Sequence, residues 1–195
     1  MIVDPGRNQS GARGHVEAIT GGMFSGKSEE LVRRLRRAAI ARQVVQVFKP
    51  EADSRHSRER LVTRDNRELE AVSVAGSADL RRLLRPGVQV VGIDEAQFFD
   101  PGLVELASEL ADAGVRVIVA GLDLDYLRRP FGPMPQILAL AEYVDKMHAV
   151  CVRCGAPAHY SQRIAGGGEQ IQAGDADAYE ARCRACFSSF QPAPD

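Results

Sequence analysis

Two rhythms of apolar residues run through the first 123 positions of this chain. Short runs rich in Val and Ile, at 15–20, 43–50, 87–99 and 115–123, read as buried strands. Between them apolar residues recur at helical spacing. Leu31, Leu35 and Ala38/Ala39 predict a helix from Ser28 to about residue 41; Ser77 caps a second over 77–84; a third runs from Pro101 to about 113. Arg33, Arg34, Arg36 and Arg37 mostly fall off the first helix's stripe and are expected on a solvated face. The stretch 51–72 is polar and charged and reads as a loop with one short strand.

Strands alternating with helices predict an α/β fold, a parallel sheet covered on both faces. Ligands in such sheets sit beyond the carboxyl ends of the strands. A glycine loop at 21–26, the acids Asp94 and Glu95, and the stretch 121–126 all lie at such ends. They should converge on one crevice. From about residue 150 the texture changes: all four cysteines, a glycine run at 165–169 and a Pro-rich end follow, which predicts a second, smaller lobe.

Composition narrows the class. With 195 residues, 45% of them hydrophobic and 26% charged, the chain can bury a core for one main domain. A formal net charge of −1 argues against a dedicated nucleic-acid binder. No apolar run approaches the ~18 residues of a membrane helix, and the first 14 residues lack the apolar stretch of a signal peptide. They read as a disordered leader, and the cytoplasm is the expected location. In that reducing compartment two Cys-x-x-Cys pairs favour a metal over disulfides.

The residues Gly21, Gly22, Met23, Phe24, Ser25, Gly26, Lys27 and Ser28 fit the phosphate-binding pattern G-x-x-x-x-G-K-S/T. Its glycines let backbone N–H groups wrap phosphate oxygens, and the helix that follows adds its positive end. Lys27 should reach the β- and γ-phosphates of ATP, and the Ser28 hydroxyl should ligate Mg²⁺. Asp94, at a buried strand end, is placed to serve the same ion. Neighbours on a strand point to opposite sides, so Glu95 is expected to do other work. As a general base it could deprotonate either water or an alcohol, and local chemistry does not choose between an ATPase and a kinase. Cys151, Cys154, Cys183 and Cys186 suit a closed, tetrahedral, structural Zn²⁺ site, with His148 and His159 as bystanders.

Taken together, "GGMFSGKSEELVRRLRR", "FKPEADSR", "GIDEAQFF", "GLDLDYLRRPFGP", "CVRC" with "HYSQR", and "DADAYEARCRAC" resemble the type II thymidine kinases, in family order from about residue 15 to 187. The resemblance implies a P-loop, RecA-like sheet over 15–149 and a zinc-binding lasso domain over 150–190, between a leader at 1–14 and a tail at 191–195. It implies that Glu95 takes the proton of the thymidine 5′-hydroxyl. Tyr126 would pack on the thymine ring, with Met23, Phe98, Leu122 and Phe131 near the base. Tyr179 and the backbone of Gln170, Ile171, Gln172, Ala173 and Gly174 would form the lasso, while Arg55 and Arg163 would lie near the phosphates. A homotetramer, use of deoxyuridine and inhibition by thymidine triphosphate are further implications, with no nucleic-acid or membrane partner. Two departures stand out: Thr63-Arg64 replaces the family's Ser/Thr-His, and Tyr126 stands where many members carry Phe.

Overall fold

A computed structural model describes residues 14–51, 61–62, 68–165 and 178–188. Residues 1–13 of the leader, Arg55, Thr63, Arg64, Gln170 to Gly174 and the tail lie outside the described residues. The elements are β1 (His15–Thr20), α1 (Lys27–Ile40), β2 (Val45–Pro50), β3 (Leu61–Val62), β4 (Glu68–Leu69), β5 (Ala71–Val74), α2 (Ser77–Leu83) and β6 (Val90–Ile93). A single 3₁₀ turn (Ala96–Phe98) precedes α3 (Gly102–Asp112), β7 (Arg116–Gly121), α4 (Met134–Leu140) and β8 (Tyr143–Lys146). The cysteine-bearing part holds β9 (Ala149–Val150), β10 (Pro157–Ala158), β11 (Tyr160–Arg163) and β12 (Tyr179–Arg182).

Six strands form a parallel sheet in the order β5-β2-β6-β7-β1-β8. Strand alternation sorts its side chains between two cores. Val16, Ala18, Val117 and Val119 face α3 and α4. Ile19, Ile118 and Ala120 meet Leu31, Leu35 and Ala38 of α1 on the other face. Gly92 lets α1 approach closely, because a Cβ there would sit 2.7 Å from a Leu35 methyl. Among the described residues no helix is long and apolar enough to cross a membrane.

Four expectations change. Helix α4 and edge strand β8 were not anticipated. The run 87–99 is a strand only over β6; beyond it the chain turns. Ser77 does not cap α2: it is the helix's first residue, and Asp100 accepts from its backbone N–H at 2.7 Å and its hydroxyl at 2.6 Å. Arg34 leaves the solvated face. It is 2% exposed and reaches Glu17 at 2.7 Å, Glu30 at 2.8 Å and Asp145 at 2.5 Å.

Glu17, fully buried in β1, also accepts from Arg116 at 2.5 Å and pairs with His15 at 3.0 Å. Burial alone would raise its carboxyl, but the bonds from His15, Arg116 and Arg34 outweigh that and hold it at about 2. The folded value lies below the ordinary one. Its contribution is therefore fully present above about pH 4.5 and fades as pH falls toward 2. Glu17→Gln leaves two arginines facing a neutral group, and it should lower unfolding free energy by about 3–5 kcal/mol. Urea titration at pH 7 and pH 3 checks this: the difference between variant and parent should shrink at the lower pH.

Candidate active site

The phosphate loop is shaped by contacts that only glycine tolerates. Gly21 has φ 136°, and a Cβ on it would lie 2.2 Å from the Met147 carbonyl oxygen. Gly26, at φ 82°, turns the chain into α1. Within the loop, Lys27 Nζ and Ser25 Oγ both donate to the Gly22 carbonyl, at 2.9 and 2.8 Å. Burial lowers the Lys27 ammonium, while Glu95, Asp94 and Asp123 pull it back up. The loop lysine is thus close enough to the acids after β6 and β7 for their charges to act on it.

The acids lie beyond the end of β6, not within it. Asp94 donates its backbone N–H to the Phe48 carbonyl at 3.0 Å, and its Oδ1 accepts from Ser28 Oγ at 3.2 Å and from the Glu95 N–H at 2.9 Å. Burial and then the charge of Glu95 push its carboxyl up to about 6. At Glu95 the backbone turns left-handed, φ 49° and ψ 40°. The two carboxylates thus part because the chain leaves the strand, not through strand alternation. A non-glycine residue in that conformation costs about 1–3 kcal/mol, and such strain gathers at functional sites.

Aromatic side chains cluster on the stretches after β6 and β7. Phe98 and Phe131 meet edge to face at 5.6 Å, and the Phe131 N–H donates to the Asp123 carbonyl. Tyr126 is 7% exposed. The guanidinium of Arg163, itself 1% exposed, lies 4.7 Å from the Tyr126 ring centre and 5.9 Å from that of Tyr179. Leu122 is buried at the end of β7, and the Met23 N–H donates to Ser161 Oγ at 2.9 Å. Three links result: Phe98 with Phe131, Tyr126 and Tyr179 on Arg163 of β11, and Met23 of the phosphate loop on Ser161 of the same strand.

Three residues here escaped the sequence reading. Gln97, 2% exposed, bridges Glu95 and Leu122. Asp123 pairs with Lys146 at 2.6 Å. Ser161 joins the phosphate loop to β11. The signal for the first two was present: polar side chains inside the apolar runs "EAQFF" and "VAGLD". Ser161 carried none, since its partner lies 138 residues away.

The four cysteines are free thiols, and their sulfurs all lie within 4.8 Å of one another. Sulfurs on a tetrahedral zinc ion stand about 3.8 Å apart, and Cys154 Sγ lies 3.6 Å from Cys183 Sγ. Backbone N–H groups aimed at the sulfurs lower the Cys151 and Cys183 thiols, those of Cys183 and Cys186 respectively leading, while bonds with the Cys154 and Cys183 sulfurs push the Cys186 thiol up to about 12. The cluster can hold a metal such as zinc. His148 and His159 meet edge to face at 4.3 Å, outside it. The lobe also reaches the turn that carries Tyr126. Arg128, with φ 61°, lies 5.3 Å from the ring centre of Tyr160 and 5.1 Å from that of Phe187, next to the last cysteine.

Comparison with known proteins agrees with this geometry. A family model described as thymidine kinase matches residues 14–187. A thymidine kinase of Rhodothermus sp. is 54% identical over 182 residues, covering 93% of this chain and 85% of the relative. Those of Porphyromonas gingivalis and Bdellovibrio bacteriovorus are each 52% identical over 182 residues, covering 93% of this chain and 89% of the relative.

Proposed function

Because the chain belongs to the thymidine kinase family, we propose that it transfers the γ-phosphoryl group of ATP to the 5′-hydroxyl of thymidine, yielding thymidine 5′-phosphate for nucleotide salvage. The observation that carries this reading is Glu95, on a left-handed turn just past β6, close enough for its charge to act on Lys27 of the phosphate loop and bonded to the Gln97 amide. In that position a base serves an alcohol brought in on an aromatic surface.

The glycine loop and Lys27 hold the ATP phosphates, and Lys27 exchanges its bond to the Gly22 carbonyl for phosphate oxygens. Ser28 and Asp94, already in contact, would hold Mg²⁺, which neutralises charge on the β- and γ-phosphates. Glu95 accepts the proton of the attacking hydroxyl. Tyr126, Phe98, Phe131, Met23 and Leu122 receive the base, and Tyr179 with residues 170–174 closes over it. Excluding water keeps the γ-phosphoryl group for the sugar. Arg55 and Arg163 neutralise phosphate charge in the closed complex. Zinc on the four cysteines organises a domain over 150–190, beside a nucleotide-binding domain over 15–149. The enzyme works in the cytoplasm as a homotetramer and is inhibited by thymidine triphosphate.

ADP release with and without each nucleoside tests the reading. Release should depend strictly on thymidine. Deoxyuridine, lacking one methyl, should lose about 10–200-fold in kcat/KM, the scale of one methyl in an apolar site. Release without nucleoside would make the protein an ATPase, and none at all would leave a nucleotide-binding interaction protein.

A further inference from the structure

We propose that Gln97 is a positioning residue: its amide fixes the Glu95 carboxylate and ties it to the backbone of the loop that receives the acceptor. The proposal rests on the reading of Glu95 as the base.

The amide of Gln97 makes two bonds of opposite polarity. Its Oε1 accepts from the Leu122 N–H at 2.9 Å, and its Nε2 donates to Glu95 Oε2 at 2.5 Å. Its orientation is compelled. A backbone N–H can only donate, so the amide oxygen must face Leu122, and the NH₂ then faces the carboxylate. Glycines leave the room this arrangement needs. A Cβ on Gly121 would come 2.9 Å from Gln97 Oε1, and one on Gly132, at φ 52°, would come 2.1 Å from the Gln97 carbonyl oxygen.

Two consequences follow. Glu95 sits in a strained conformation and is only part-buried, so its side chain would otherwise sample several rotamers. A buried donor on one carboxylate oxygen holds it in one of them. The same amide grips Leu122, the first residue past β7, from which the chain runs to Tyr126 and Phe131. Base and acceptor loop are therefore held to a common reference, and transfer tolerates little error, since about 1 Å of misplacement costs roughly 10²-fold. The charged groups facing this assembly are Asp94 on the same turn, Lys27 at the start of α1, and Asp123 after Leu122.

The test uses Gln97→Met and Gln97→Glu in the full chain. Circular dichroism and affinity for a non-hydrolysable ATP analogue serve as controls and should match the parent, while the thermal midpoint of Gln97→Met falls by a few degrees because the Leu122 N–H loses its acceptor. Gln97→Met removes both bonds at nearly constant volume, and kcat should fall about 10–100-fold at every pH, more than any KM changes. Gln97→Glu behaves differently. While the two carboxyls share one proton, the introduced O–H donates to Glu95 and its carbonyl accepts from Leu122, so kcat stays near that of the parent. Once the shared proton leaves, two like charges oppose each other, and kcat should drop as pH rises through a step that neither the parent nor Gln97→Met shows. Both variants within about threefold of the parent at all pH values would overturn the proposal. So would equal losses with parallel pH profiles, which a merely structural role produces. If the parent releases ADP without thymidine, the acceptor assignment fails, while the same comparison still decides Gln97, because Glu95 then acts on water. A parent that releases no ADP under any condition refutes both.

Discussion

Glu95→Gln should lower kcat for thymidine phosphorylation by about 10²–10⁴-fold, the range over which a positioned base contributes. The substitution is nearly isosteric, so the left-handed turn and the bond to Gln97 can persist with the new amide oxygen facing the Gln97 NH₂. Nucleotide binding should survive and shift in its pH dependence. Asp94 is pushed up to about 6 by burial and, second, by the charge of Glu95. Removing that charge lets Asp94 ionise at lower pH, so metal-dependent ATP binding should extend further into the acid range. Rapid-quench measurement of phosphoryl transfer, with calorimetry of ATP–Mg²⁺ binding between pH 5 and 8, separates the two effects. A variant whose transfer rate stays within about threefold of the parent would mean that another group takes the proton.

The parts of this arrangement that were legible in sequence are those set by neighbours in the chain. Parallel strands buried on both faces show as runs of Val and Ile, which is why β1, β2, β6 and β7 could be read directly. The phosphate loop was readable because its contacts are local. What was hidden depends on distance or on overriding a rule. Arg34 falls on the periodic stripe of Leu31, Leu35 and Ala38, but its charge suggested solvent; its partners Glu17 and Asp145 lie 17 and 111 residues away. Strand β8, mostly exposed at the sheet edge, lacks the apolar signature of its neighbours. The turn at Glu95 is hidden because "GIDEAQFF" continues an apolar run, while the close approach of Gln97 to Gly121 and Gly132 that accompanies it joins residues far apart in the chain.

Cys183→Ser should have its largest effect on structure, and only through structure on the reaction. Among the described residues the lobe's buried core comprises Ala149, Cys151, Ala158, Ala181 and Cys183, so two of its five members are themselves candidate ligands. Three alanines, with buried Tyr160 beside them, offset little of the entropy of ordering two strand pairs. A structural zinc ion contributes about 10–16 kcal/mol in small domains and can take the place of a core. Losing one thiolate should therefore abolish zinc retention and remove amide-exchange protection across β9 to β12, while β1, β6 and β7 keep theirs. The damage should spread along two contacts. Arg128 loses the rings of Tyr160 and Phe187, which loosens the turn bearing Tyr126, and Ser161 loses its fixed place beside the Met23 N–H. The KM for thymidine should rise at least tenfold, and that for ATP less, because most of the phosphate loop is held by β1 and α1. Plasma emission spectrometry of the untreated parent should find one zinc per chain. A parent without metal, or a variant that keeps its exchange protection, would show that the four thiols fold the lobe unaided.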